Sequence, residues 1–199
     1  MERVTDEQLL ERYIATFEKL DEMVVDVISQ PAAMQLVLGV VDEDHFQVWK
    51  PLKVETPSSQ LEEIYARMLG KFPGLFEQMV LSYRWAEVDL GTYRLFANPP
   101  GDDLMGLFRQ MSKDSGLWES LIPAGFVPFG KGPDLDYDPV CFDMKSRKQG
   151  GDYRIVKIDH EQILCNHRVK IVSELAPSFY ELILQTIVRA ESASPAMGS

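Results

Sequence analysis

Between Leu121 and Ile187 the chain sets three short apolar runs between turn residues and then closes on an amphipathic stretch. The runs are Ile122 to Gly130, Val140 to Asp143 and Arg154 to Glu161, and the closing segment is Ala176-Pro177-Ser178-Phe179-Tyr180-Glu181-Leu182-Ile183. That order predicts a sheet fragment with a helix packed on it. Ser178 with Glu181 three residues on reads as a capping box, and Phe179, Leu182, Ile183 and Ile187 form the face turned to the sheet.

Helical signals dominate the first half. Thr5-Asp6-Glu7-Gln8 reads as a capping box, and apolar residues then recur at helical spacing from Leu9 to Ile28, so one helix is expected up to Pro31. Its opposite face carries Glu7, Glu11, Glu18, Glu22 and Asp26. Residues 34–54 read as a hairpin interrupted at Asp42-Glu43-Asp44. A second helix is expected after Pro57, capped by Ser59 and Glu62 and stopped by Gly70; a third runs from Gly74 to about Tyr83. Val88, Leu90, Tyr93 and Leu95 alternate with polar residues as a strand does, with Gly91 as a bulge or bend. After the Asn98-Pro99-Pro100-Gly101 turn, a short helix carries Leu104, Leu107, Phe108 and Met111. Helices mixed with short strands, without regular β-α alternation, indicate an α+β fold with a largely antiparallel sheet flanked by helices. The expected organisation is an acidic N-terminal extension packed on the core (1–71), a main domain (72–190) and a disordered tail (191–199).

Charge narrows the partners. Of the net −11, residues 1–63 contribute −9, with 5 Lys/Arg against 14 Asp/Glu. Such a surface repels phosphate backbones, so nucleic acid is not an expected partner. It suits a basic protein instead, and Glu11, Glu18, Glu22 and Asp26 are the candidate protein-binding residues. The apolar runs are too short to cross a bilayer, and Met1 to Glu7 has no apolar core of a secretory signal. No membrane association and a cytoplasmic location are expected. Cys141 and Cys165 then read as reduced thiols.

Chemical motifs are sparse. His160, Cys165 and His167, with Cys141 and Asp143, lack the paired short spacings of a structural zinc site and read as core thiols and hairpin histidines. Asp134-Leu135-Asp136-Tyr137-Asp138 starts like a calcium loop, but Pro139 and Lys145 stand where glycine and a bidentate glutamate belong. Gly130-Lys131-Gly132 lacks the rest of a phosphate-binding loop. Cys141, inside an apolar run, is a poor nucleophile for His160 or His167. Lys145, Arg147, Lys148, Arg154 and Lys157 surround Gly150-Gly151 and read as a solvated hairpin tip. The residues therefore indicate no catalytic set, cofactor or metal. The competing enzymatic reading is a small hydrolase or nucleotide-binding enzyme using Asp134, Asp136, Asp138 and His160.

Several segments resemble the SUKH superfamily, which includes bacterial toxin-immunity proteins and fungal cell-wall-synthesis regulators. Phe72-Pro73-Gly74-Leu75-Phe76 is similar to its opening helix. Trp118 with Ile122 to Gly130 is similar to its tryptophan and Phe-Gly strand, Val140-Cys141-Phe142-Asp143 to its strand ending in aspartate, and Ser178-Phe179-Tyr180-Glu181-Leu182 to its closing helix. The resemblance covers roughly residues 72–189. It implies a non-enzymatic protein-interaction domain, an immunity protein neutralising a basic toxin being one form and a regulatory or assembly subunit another. Trp118, Phe142, Asp143, Ser178 and Phe179 are its expected structural residues.

Overall fold

The computed structural model describes residues 4–26, 31–38, 46–68, 70–101, 103–148 and 150–193. Helix α1 (Asp6–Ile14) opens with the expected capping box, Thr5 and Gln8 exchanging hydrogen bonds. The single long helix does not form. A short α2 (Phe17–Leu20) follows, and then a strand, β1 (Val24–Asp26). Thr16 turns its hydroxyl back to the Tyr13 carbonyl (2.7 Å), Asp21 is extended, and Met23 adopts a left-handed φ of 55° that ends helical continuation. Val24 and Val25 then pair with β2 (Phe46–Val48), in the register Val24↔Val48 and Val25↔Gln47. Apolar residues that fit a helical repeat thus fit an alternating strand as well, with Val25 buried and Val24 exposed.

Residues 31–36 form a 3-10 turn rather than a strand, and of the expected 34–54 hairpin the described residues show the Val37–Trp49 bridge, with Leu38 donating to Val48 and Lys50 to Leu36. Residues 39–45 of that expectation lie outside the described residues. The partner of β2 is instead β1, while β3 (Leu52–Lys53) pairs with β4 (Tyr83–Arg84). The expected capping box at Ser59 is absent because Ser59 lies inside a 3-10 turn, Ser58–Gln60, that leads into α3 (Leu61–Tyr65). Helix α4 (Gly74–Ser82) runs directly into β4 and buries Phe76, Met79 and Val80.

The stretch expected as one strand is a hairpin. β5 (Val88–Asp89) and β6 (Arg94–Leu95) fold back around Gly91, whose φ of 79° suits a residue without Cβ. Next come α5 (Met105–Met111), α6 (Ser115–Leu121), β7 (Phe126–Lys131), β8 (Pro139–Asp143), β9 (Arg154–Ile158), α7 (His160–Asn166), β10 (Ile171–Ala176) and α8 (Phe179–Ala193). Strands β10-β9-β8-β7-β6-β5 form one antiparallel six-stranded sheet in that order. The fold is α+β.

Alternation along the central strands separates two cores. Val127, Phe129, Val140, Phe142 and Ile155 face α4 and α8; Phe126, Cys141, Val156 and Ile158 face Leu121 of α6 and Ile163 of α7. Phe129 and Phe142 stack at 4.3 Å between centroids; Phe179 meets both edge-on at 5.7–5.9 Å, and Phe76 meets Phe142 edge-on at 5.1 Å and Phe129 tilted at 5.8 Å. Such pairs add about 0.5–1.5 kcal/mol each beyond area burial. Leu9, Leu10, Tyr13 and Phe17 belong to the same core, so the N-terminal segment packs against α8 and the sheet. Helix α8 continues to Ala193, into the stretch expected as a disordered tail, and its Glu191 pairs with Arg12 at 3.0 Å. Among the described residues no helix is long and apolar enough to cross a membrane.

Candidate functional site

A cleft of about 680 Å³ opens on the face of the sheet opposite α4 and α8. One wall is the α5–α6 corner, with Met111, Lys113, Ser115 and Leu117; the other is Tyr137 with His160 and Leu164 of α7. The floor is Pro128 and Lys131 of β7 with Pro139 of β8. Short caps hold the walls: Asp114 accepts from the Leu117 amide and Asp159 from the Gln162 amide, both at 3.0 Å. Of the lining residues, Tyr137 (56%) and Leu164 (50%) are exposed.

Glu87 and Lys131 of the cleft belong to one ion-pair network. Lys131 meets Glu87 at 3.1 Å, and Arg94 joins Glu87 to Asp89 at 3.6 and 3.0 Å. The sequence offered no signal for Glu87 or Lys131, because their pairing depends on β6 lying beside β7.

The loop 134–138 uses its carboxylates on its own neighbours. Asp136 binds Lys157 at 2.8 Å and accepts from the Asp138 amide at 2.9 Å. Partial burial raises the Asp136 pKa, but the Lys157 hydrogen bond and the backbone amide outweigh it and leave the carboxyl below its ordinary value. Asp138 Oδ1 accepts from the His160 backbone amide at 2.9 Å and lies 2.7 Å from its ring Nδ1. Asp134 is exposed at a φ of 52°, its amide turned toward Asp89. The structure therefore joins Asp138 to His160, ties Asp136 to Lys157 and leaves Asp134 apart.

The histidines are not in a hairpin. His160 opens α7, and His167, in the left-handed conformation, closes it beside exposed Cys165. Cys141 is enclosed in the smaller core, and burial pushes its thiol pKa well up. Among the described residues no group of three His, Cys, Asp or Glu is placed to hold a metal ion. Of the basic cluster, Lys145, Arg147 and Lys148 are exposed, whereas Arg154 reaches Asp143 at 2.6 Å and Glu174 at 3.5 Å.

The four acidic candidates do not share a helix face. Glu11 is on α1, Glu18 on α2, Glu22 in the connection that follows and Asp26 in β1. Lysines distant in sequence interleave with them: Lys53 lies 3.0 Å from Glu11 and 3.2 Å from Glu7, and Lys50 lies 3.4 Å from Glu18. Glu22 is exposed.

Among the expected structural residues, Phe142 and Phe179 are fully buried and Asp143 nearly so. Trp118 is half-buried and packs edge-on against Phe108 at 5.3 Å, at the rim of the core rather than its centre. Ser178 caps α8 by accepting from the Glu181 amide at 3.1 Å. It shares this task with Asp152, whose carboxylate accepts from the Phe179 and Tyr180 amides at 3.0 and 3.3 Å, a contact the sequence did not signal. Comparison of the chain with protein-family models, curated proteins and solved structures finds no match.

Proposed function

We propose that the chain is a non-enzymatic protein-interaction domain of SUKH type that binds a basic protein partner, toxin neutralisation being the form of that activity to test first. The observation that carries this reading is the cleft, where the large side chains of Tyr137 and Leu164 stand exposed beside the Lys131–Glu87 pair. Exposed aromatic and aliphatic anchors around a concave site are what protein interfaces use as hot spots. The segments that resemble the superfamily also pack together, since Phe76, Phe129, Phe142 and Phe179 form one aromatic cluster. The net charge of −11 would steer a basic partner.

The test is affinity capture from the native cell with the full chain and with a Tyr137→Asp, Leu164→Asp variant. A basic partner held by the wild type and lost by the folded variant supports the reading, and protection of cells expressing that partner supports neutralisation. A partner retained equally by the variant overturns the cleft as the interface.

A second reading rests on the Asp138–His160 contact at 2.7 Å, the arrangement in which a carboxylate orients an imidazole for proton transfer. A small hydrolase or nucleotide-binding enzyme would use it at the cleft wall. Ester or nucleotide turnover that disappears in His160→Ala would favour this reading.

A further inference from the structure

We propose that the pocket beside Arg84, which shares no lining residue with the cleft, is a binding site for a carboxylate. Arg84 ends β4 and is only 5% exposed. Its Nη1 donates to the carbonyls of Val80 (2.8 Å) and Tyr83 (3.1 Å), and its Nη2 donates to Thr56 Oγ1 (2.6 Å). All three acceptors are neutral. Among the described residues no carboxylate forms an ion pair with Arg84, which sets it apart from the paired Arg12, Arg67, Arg94 and Arg154.

A guanidinium carries five N–H donors, so Nε–H and the second N–H of Nη2 remain without an acceptor among the described residues. A carboxylate fits such a pair of donors in a bidentate manner. The cost of a buried cation without a counter-charge is evident in Arg84, whose pKa is lowered by burial. The last carbonyls of α4 supply part of the missing negative charge. An anion in the pocket would supply the rest.

The pocket holds about 260 Å³ and is lined by Arg84, Thr56, Gln35, Gln60 and Glu55, with Pro100 and Gly101 at one side. That is room for an acidic side chain, a chain terminus or a small aliphatic acid. Glu55 and the −9 charge of residues 1–63 disfavour a phosphate dianion more than a carboxylate monoanion, because repulsion scales with ligand charge. The inference is independent of the cleft, so either can fail without the other.

The experiment follows the side-chain Nε–H resonance of Arg84 in the full chain, assigned through the backbone, at constant ionic strength. Propionate stands for a free acid, acetylated dialanine with a free terminus for a protein end, and propionamide for a neutral isostere. The expected result is a saturable shift with the two acids and none with the amide, weakened severalfold in Thr56→Val and strengthened severalfold in Glu55→Gln. Tighter binding of the dipeptide identifies a protein terminus as the source, and tighter propionate binding a free acid. No saturable shift in the folded wild type up to on the order of 100 mM acid overturns the proposal.

Discussion

The hydroxyls of Tyr13 and Tyr93 lie 2.6 Å apart in the fully buried interior, joining α1 to the β5–β6 hairpin. Tyr93 is also 3.5 Å from the Thr186 hydroxyl, which donates to the Leu182 carbonyl within α8. Three elements far apart in sequence are thus tied by one polar chain inside an apolar core. Tyr13→Phe or Tyr93→Phe leaves one buried hydroxyl short of its partner and is expected to cost about 1–3 kcal/mol. The double substitution should cost less than the sum, as a double-mutant cycle in urea would reveal.

The same pair sets an alkaline limit. Burial raises both phenols, Tyr13 well above its ordinary value and Tyr93 to about 12 despite the opposing hydrogen bonds with Thr186 and Tyr13. The folded state therefore holds protons that the unfolded chain releases near pH 10. Stability from this source is complete below about pH 10 and is lost as pH rises toward the folded value. The part of the phenolate absorbance that Tyr13→Phe and Tyr93→Phe remove should appear together with unfolding; its appearance in folded protein would contradict this.

Asp89 and Asp136 set the acid side. Burial raises both, but amides and Arg94 for Asp89, and Lys157 with an amide for Asp136, lower them further than burial lifts them. A depressed carboxyl contributes stability that is full above about pH 4 and is lost as pH falls through its folded value. Asp136→Asn should flatten the acid limb of a melting-temperature profile and lower its neutral plateau. An unchanged acid limb would mean that the Lys157 contact is not formed in solution.

At the closing helix, Phe179→Ala empties the centre of the aromatic cluster and is expected to cost about 3–5 kcal/mol by urea unfolding. Asp152→Ala removes an acceptor from the α8 N-terminus and is expected to cost about 1 kcal/mol. A loss below about 1 kcal/mol for Phe179→Ala would place α8 at the periphery.

Reversing Glu11, Glu18 and Glu22 to Lys tests the acidic surface. Exposed ion pairs contribute little to stability, so folding should survive the loss of the Lys50 and Lys53 contacts. Association with a basic partner is expected to slow and to lose salt dependence. An unchanged rate at low salt would mean that these residues are only a solvated face.

Local chemistry was enough for the elements whose signal is local. The Thr5–Gln8 cap, α4 from Gly74, strands β7, β8 and β9 and the Ser178 cap of α8 follow from hydrogen bonds and apolar periods within a few residues. The α+β class follows from their order. Only the tertiary structure decided that Val24 and Val25 form a strand, because adjacent β-branched residues suit a strand as well as a helical stripe until β2 arrives to pair. The two sites were hidden for the same reason. Asp138 meets His160 across 22 residues, Lys53 meets Glu11 across 42, and Arg84 is buried against Thr56 across 28. The sequence by itself determined which groups carry charge; only the packed sheet, by bringing distant segments within hydrogen-bonding reach, decided which of those charges have a partner of opposite sign among the described residues.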